Sequence, residues 1–161
     1  IYQAYLAYGT EWGVLGYPTS GEQKDSNGTT YQTFENGVIY WKRDTGAWMI
    51  TNFARDRWIS LGGENSKLGE VKNDGVCGLV KSGCYQAFST GNIYWTSATG
   101  AYDVSGGIYQ AYLAYGTEWG VLGYPTSGEQ KDSNGTTYQT FENGVIYWNG
   151  NRGATVQING F

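Results

Sequence analysis

Residues Ile1 to Trp41 recur without a change as Ile108 to Trp148. Identical stretches should find the same local packing, so a repeat architecture must be considered before any other fold. A diverged copy lies between them. It is marked by Leu68-Gly69 against Leu15-Gly16 and Leu122-Gly123, by Tyr85-Gln86-Ala87-Phe88 against Tyr31-Gln32-Thr33-Phe34, and by Ile93-Tyr94-Trp95 against Ile39-Tyr40-Trp41. With a period of about 53 residues, the copies fall at 1–52, 53–107 and 108–161. Because the identical copies are not neighbours, the simplest history is duplication of a two-copy unit. Further copies, or a tethered domain, are expected in the full-length protein.

Each copy opens on a helical pattern, with Ile1, Ala4, Tyr5 and Tyr8 on one face and Gly9, Gly62 and Gly116 as stops. In the middle copy Asn52 is a candidate cap for a helix over residues 53–61, with Trp58 standing where the outer copies have Tyr5 and Tyr112. The turn-forming Leu15-Gly16-Tyr17-Pro18-Thr19-Ser20 follows, then a polar stretch ending in Asn27-Gly28. The period then changes to that of a strand. Residues 31–35 alternate, Asn36-Gly37 turns the chain, and Val38-Ile39-Tyr40-Trp41 completes a hairpin, with a third strand expected at Ala47-Trp48-Met49-Ile50. One short helix and two or three strands cannot bury their apolar faces alone, so the copies must pack on one another. The expected fold is an α+β repeat protein of three helix-plus-hairpin units, stacked or ring-like with pseudo-rotational symmetry.

Composition narrows the partners. The net charge of −4 offers no basic field for nucleic acid or an anionic membrane surface. No window reaches the roughly 20 apolar residues of a membrane span, and the N-terminal residues lack the pattern of a leader, which points to a mature or trimmed chain. Cys77 and Cys84 flank a short polar loop; this spacing suits a disulfide and an oxidising compartment, the alternative being two buried thiols. With no His, neither a zinc site nor the familiar Ser or Cys nucleophile arrangements can be built. Metal and cofactor are expected to be absent, and no catalytic residue is assigned. Asp25-Ser26-Asn27-Gly28 lacks the later carboxylate of a calcium loop and reads as a turn.

The combination Leu-Gly-Tyr-Pro-Thr-Ser, Tyr-Gln-x-Phe, Val-Ile-Tyr-Trp and Thr-Gly-Ala resembles the LGFP repeat family across nearly the whole chain. The resemblance implies a module found beside mycolyltransferases, muramoyl amidases and other envelope enzymes of actinobacteria. It implies a secreted, cell-wall location and anchoring to wall polysaccharide, an arabinogalactan-like or peptidoglycan-associated glycan, without catalysis. A structural or protein-interaction array is the other class of function that a repeat chain allows.

Two sets of residues are candidates for ligand contact. Sugar rings stack on indole or phenol while carboxylates and amides bind hydroxyls, which singles out Glu11, Trp12 and Tyr17 and their counterparts Glu118, Trp119 and Tyr124. Asn65 replaces the Trp and Glu70-Val71 replaces the Tyr-Pro in the middle copy, so weaker or no binding is expected there. Glu11, Glu64 and Glu118 also suit a structural role, accepting N–H bonds past the helix end. Trp41, Trp95 and Trp148, present in every copy, read as core anchors rather than ligand platforms.

Overall fold

The computed structural model describes residues 1–160. The first copy consists of α1 (Tyr2–Ala7) and the strands β1 (Gln23–Lys24), β2 (Thr30–Phe34), β3 (Gly37–Lys42) and β4 (Gly46–Thr51). The second has α2 (Asn52–Leu61), β5 (Val76–Cys77), β6 (Cys84–Ala87), β7 (Gly91–Thr96) and β8 (Gly100–Ser105). In the third are α3 (Gly106–Ala114), β9 (Gln130–Lys131), β10 (Thr137–Phe141), β11 (Gly144–Asn149) and β12 (Gly153–Ile158). Each copy forms a four-stranded antiparallel sheet with the strands in chain order. The expected helix-plus-hairpin unit is therefore too small. A two-residue strand pairs with one side of the hairpin and a six-residue strand with the other, so the chain is mostly β. The two-residue strand lies in the polar segment, where no alternation of apolar residues could announce it.

Identical sequence does find identical local structure. Thr30 pairs with Trp41 as Thr137 pairs with Trp148, and both hairpins close at Phe34–Gly37 and Phe141–Gly144. At these turns glycine is required by space rather than by conformation. A Cβ on Gly37 would stand 2.5 Å from the Ile50 carbonyl oxygen, and one on Gly144 would stand 2.4 Å from that of Gln157. Asn52, the expected cap, is instead the first helical residue; its side chain donates to the Glu35 carbonyl and ties the helix to the preceding turn.

Alternation along each strand gives every sheet two apolar faces, and that dictates how the copies assemble. One face of the first sheet, with Phe34 and Ile39, packs on its own helix through Ile1, Ala4, Tyr5 and Tyr8. The opposite face, with Val38, Tyr40 and Ile50, is covered by Ala54 and Trp58 of α2 together with Leu68, Phe88 and Ile93 of the second copy. The pattern advances by one copy when Tyr94 and Val104 meet Ile108, Tyr112, Leu122, Phe141 and Ile146. Each of α2 and α3 is thus wedged between consecutive sheets. Fully burying side chains of this kind contributes about 1.5–3 kcal/mol each, so most of the core belongs to the seams between copies.

One aromatic contact recurs at each seam. Tyr40 meets Trp58 edge-on at 5.2 Å between ring centroids, and Tyr94 meets Tyr112 in the same way at 5.3 Å. Gln86 and Gln139 reach back across the seams, donating to the carbonyls of Met49 and Asp103 in the preceding sheet. Trp95 and Trp148 are partly buried against the cores, as anchors should be, while Trp41 is 38% exposed at the rim of the first sheet.

Candidate functional site

The loop after each helix is held by a side chain from that helix. Tyr5 Oη donates to the Gly16 carbonyl at 2.9 Å, Trp58 Nε1 to that of Gly69 at 2.9 Å, and Tyr112 Oη to that of Gly123 at 2.7 Å. Phenol and indole do the same work, which is why the middle copy tolerates Trp at this position. The preceding leucines are buried and the glycines adopt positive φ, so Leu-Gly fixes a sharp turn against the core. Beyond the turn, the backbone N–H of Tyr17 donates to Glu35 Oε1 and that of Tyr124 to Glu142 Oε1, while Ser89 Oγ accepts from Glu70 in the middle copy.

Trp12 and Trp119, predicted to contact ligand, sit on short 3-10 turns, Thr10–Trp12 and Thr117–Trp119. They are 89% and 64% exposed, and Val14 and Val121 beside them are also exposed. Both turns begin with a non-glycine residue in the left-handed region, Thr10 at φ 54° and Thr117 at φ 55°. The middle copy has Gly63 there, and its Gly63–Asn65 turn carries no aromatic ring. Outer copies therefore hold a strained backbone where they present a tryptophan.

The glutamates on these turns behave as structural groups. Its own backbone N–H and the Thr10 hydroxyl hold the Glu11 carboxyl below the usual carboxylate range. Glu118 is buried, and Glu64 reaches 3.5 Å from Lys42 Nζ across the first seam. Asp25 Oδ1 accepts from the N–H groups of Asn27 and Thr29, and Asp132 repeats this in the third copy, the turn expected from Asp25-Ser26-Asn27-Gly28.

Tyr17 and Tyr124 stand in identical sequence yet differ completely. Tyr17 is 61% exposed, whereas Tyr124 is fully buried, its hydroxyl donating to the Val80 carbonyl of the preceding copy. A Cβ on Gly83 would lie 2.1 Å from that hydroxyl, so the second copy leaves room for the ring by having glycine there. The expected equivalence of the two ligand sites is corrected accordingly: Tyr124 and Glu118 lie in the seam, and the surface at Trp119 lacks them. The disulfide Cys77–Cys84 is formed and joins directly paired residues of β5 and β6, at the base of the loop that receives Tyr124. Sequence reading missed this inter-copy contact, although Gly83, standing where the first copy has Thr29, was its visible trace.

Sheets stacked through bridging helices, with cores shared between neighbours, define a tandem-repeat protein in which no copy is an independent domain. Among the described residues no group of three or more His, Cys, Asp or Glu could hold a metal, and no helix is long and apolar enough to cross a membrane. The chain belongs to the LGFP repeat family, whose model matches residues 15–66, 68–120 and 122–160. In that phase a unit starts at Leu-Gly and takes in its own sheet and the helix of the next copy, except in the third match, which stops after β12. No curated protein matches the chain. Among solved structures, virginiamycin B lyase from Staphylococcus aureus aligns at 11% identity and a TM-score of 0.26, a value too low to describe a shared fold. The alignment covers 89% of this chain and 42% of the lyase.

Proposed function

We propose that the chain is a non-catalytic module that anchors a secreted protein to cell-wall polysaccharide through repeated, individually weak contacts. The observation that carries this reading is the pair of exposed indoles, Trp12 and Trp119, on identical turns of two copies. An indole left in water offers a flat apolar face to the C–H side of a sugar ring. Strain at Thr10 and Thr117 supports the reading, since a left-handed non-glycine residue costs of order 1–3 kcal/mol and is retained where its geometry is used. Family membership supports the envelope location, because repeats of this kind occur in cell-envelope proteins.

The test is co-sedimentation with protein-free wall polysaccharide. The parent is expected to bind and the double variant Trp12→Ala, Trp119→Ala to lose binding while keeping its fold, since both side chains project into solvent. A folded double variant that sediments like the parent would show that these indoles do not hold the polymer. A second reading, an interaction array that binds protein, is the other function open to a chain of stacked repeats. Binding to protein-free glycan separates the two readings.

A further inference from the structure

We propose that the open side of the first copy is one half of a seam, and that the partner it fits is the far face of a middle-type sheet carried by a further repeat. Residues 1–41 and 108–148 are identical, yet one stretch lies inside a seam and the other faces water. The formed seam therefore shows what the open side is built to meet.

At the second seam the Tyr112 ring meets Tyr94 edge-on, and Asn92 Nδ2 donates to the Tyr109 hydroxyl at 3.4 Å. The Gln139 amide donates to the Asp103 carbonyl, and Lys81 Nζ lies 3.0 Å from Glu142 Oε2. Tyr124 fills the space at Gly83 and donates to the Val80 carbonyl. Each of these third-copy residues has a twin in the first copy: Tyr5, Tyr2, Gln32, Glu35 and Tyr17 in the same order. The twins are set on the same local fold, since Tyr5 holds the Gly16 carbonyl as Tyr112 holds that of Gly123. Tyr2 and Tyr17 are nonetheless 67% and 61% exposed, and Tyr109 and Tyr124 are not. Trp12 stands outside this surface, because its twin Trp119 stays exposed beside a formed seam. An added repeat thus leaves the tryptophan turns free.

The receiving groups belong to the middle copy alone. Where it has Asn92 and Gly83, the first copy has Val38 and Thr29 and the third has Val145 and Thr136. A Cβ at Gly83 would lie 2.1 Å from the Tyr124 hydroxyl, so threonine in that place excludes the ring. The Val80 carbonyl and Lys81 sit on the loop closed by Cys77–Cys84, and the outer copies have no cysteines. The far face of the third sheet departs further. Where the two seams bury Ile50 and Val104, it carries the exposed Gln157, and the exposed Thr155 replaces Trp48, which packs into the first seam. A more polar outer face is how a terminal repeat of a stack meets water. The two ends of the stack are therefore unlike, one a receptive half-seam and the other a polar face. Thr136 and Gln157 keep a second copy of this chain from joining head to tail.

The experiment lengthens the full chain in two ways. One chain carries residues 1–107 before Ile1, which places a middle-type sheet ahead of the first copy across the same Gly106-Gly107 step as in the second seam. The other carries residues 108–160 before Ile1 and so places a third-type sheet there. Tyr17→Ala is made in the copy that follows the junction, and denaturation midpoints are compared. In the parent this substitution should leave the midpoint unchanged. Behind the middle-type sheet it should lower the midpoint as Tyr124→Ala lowers that of the parent, and Gly83→Thr in the added sheet should abolish the sensitivity. Behind the third-type sheet it should have no effect. Sensitivity in both lengthened chains, or in neither, overturns the proposal. Failure of the first chain to fold overturns it too, because its new seam repeats the residues of the second. Concentration-dependent self-association of the parent in sedimentation equilibrium would make a second copy of this chain the occupant, and the proposal would fall.

Discussion

At the scale of single residues, neighbours rather than sequence decide the fate of a side chain. Tyr17 and Tyr124, Glu11 and Glu118, and Gln32 and Gln139 are matched pairs, and in each the third-copy member is buried while its first-copy twin is not. The difference outlines the footprint of the preceding copy. Two substitutions probe it. Gly83→Ala should push the Tyr124 ring out of its seat and lower stability by about 1–3 kcal/mol, the usual cost of overpacking, with little effect expected for Gly78→Ala beyond its own backbone strain at φ 79°. Chemical denaturation of the two variants checks this. At the helix anchor, Tyr112→Phe should cost about 1 kcal/mol by removing the bond to Gly123, and Trp58→Ala about 3–5 kcal/mol by leaving a cavity in the first seam.

At the scale of elements, the hairpin and the helix were legible, because their periods and turn residues are local. Asn36-Gly37 and the alternation of residues 31–35 gave β2 and β3, and the spacing of Ile1, Ala4, Tyr5 and Tyr8 gave the buried face of α1. The two-residue strands were not legible, since they are pinned by pairing with β2, β6 and β10 and are too short to show a period of their own. Nor was the seam, which joins residues far apart in sequence. Of the candidate contact residues, Trp12, Trp119 and Tyr17 are exposed, while Tyr124 and Glu118 are buried in packing. The Cys77–Cys84 bond belongs to this scale. Closing a loop of this length contributes about 2–3 kcal/mol in the chain-entropy model, and the loop seats Tyr124. Cys77→Ser, Cys84→Ser should therefore lower the denaturation midpoint and raise the exposure of Tyr124, read by its accessibility to solvent in NMR.

At the scale of the whole molecule, the shared cores predict one cooperative transition for all three copies and a specific response to alkali. Burial, with help from the Glu118 and Glu142 charges, pushes the Tyr124 phenol up to about 12 from an ordinary 10.0. Desolvation also raises Tyr40, Tyr94 and Tyr112. In the unfolded chain these phenols lose their protons first, so the unfolded state binds fewer protons above pH 10 and stability must fall as pH rises through the window from 10 to 12. Absorbance titration should show exposed tyrosines ionising near their ordinary value and the buried set ionising together with unfolding. The repetition of weak contacts also predicts how the chain grips a polymer. Each stacked indole leaves little net affinity after ordering costs, but on a long glycan the second contact forms at high effective concentration.

The most direct test is the ratio of affinities for wall polysaccharide and for a short oligosaccharide cut from it, measured for the parent and for Trp12→Ala and Trp119→Ala singly. The account predicts a parent ratio on the order of a hundredfold, with either single variant losing most of the polymer affinity while its oligosaccharide affinity falls by only about half. Equal affinity of the parent for polymer and oligosaccharide, or single variants that keep the parent's ratio, would contradict it.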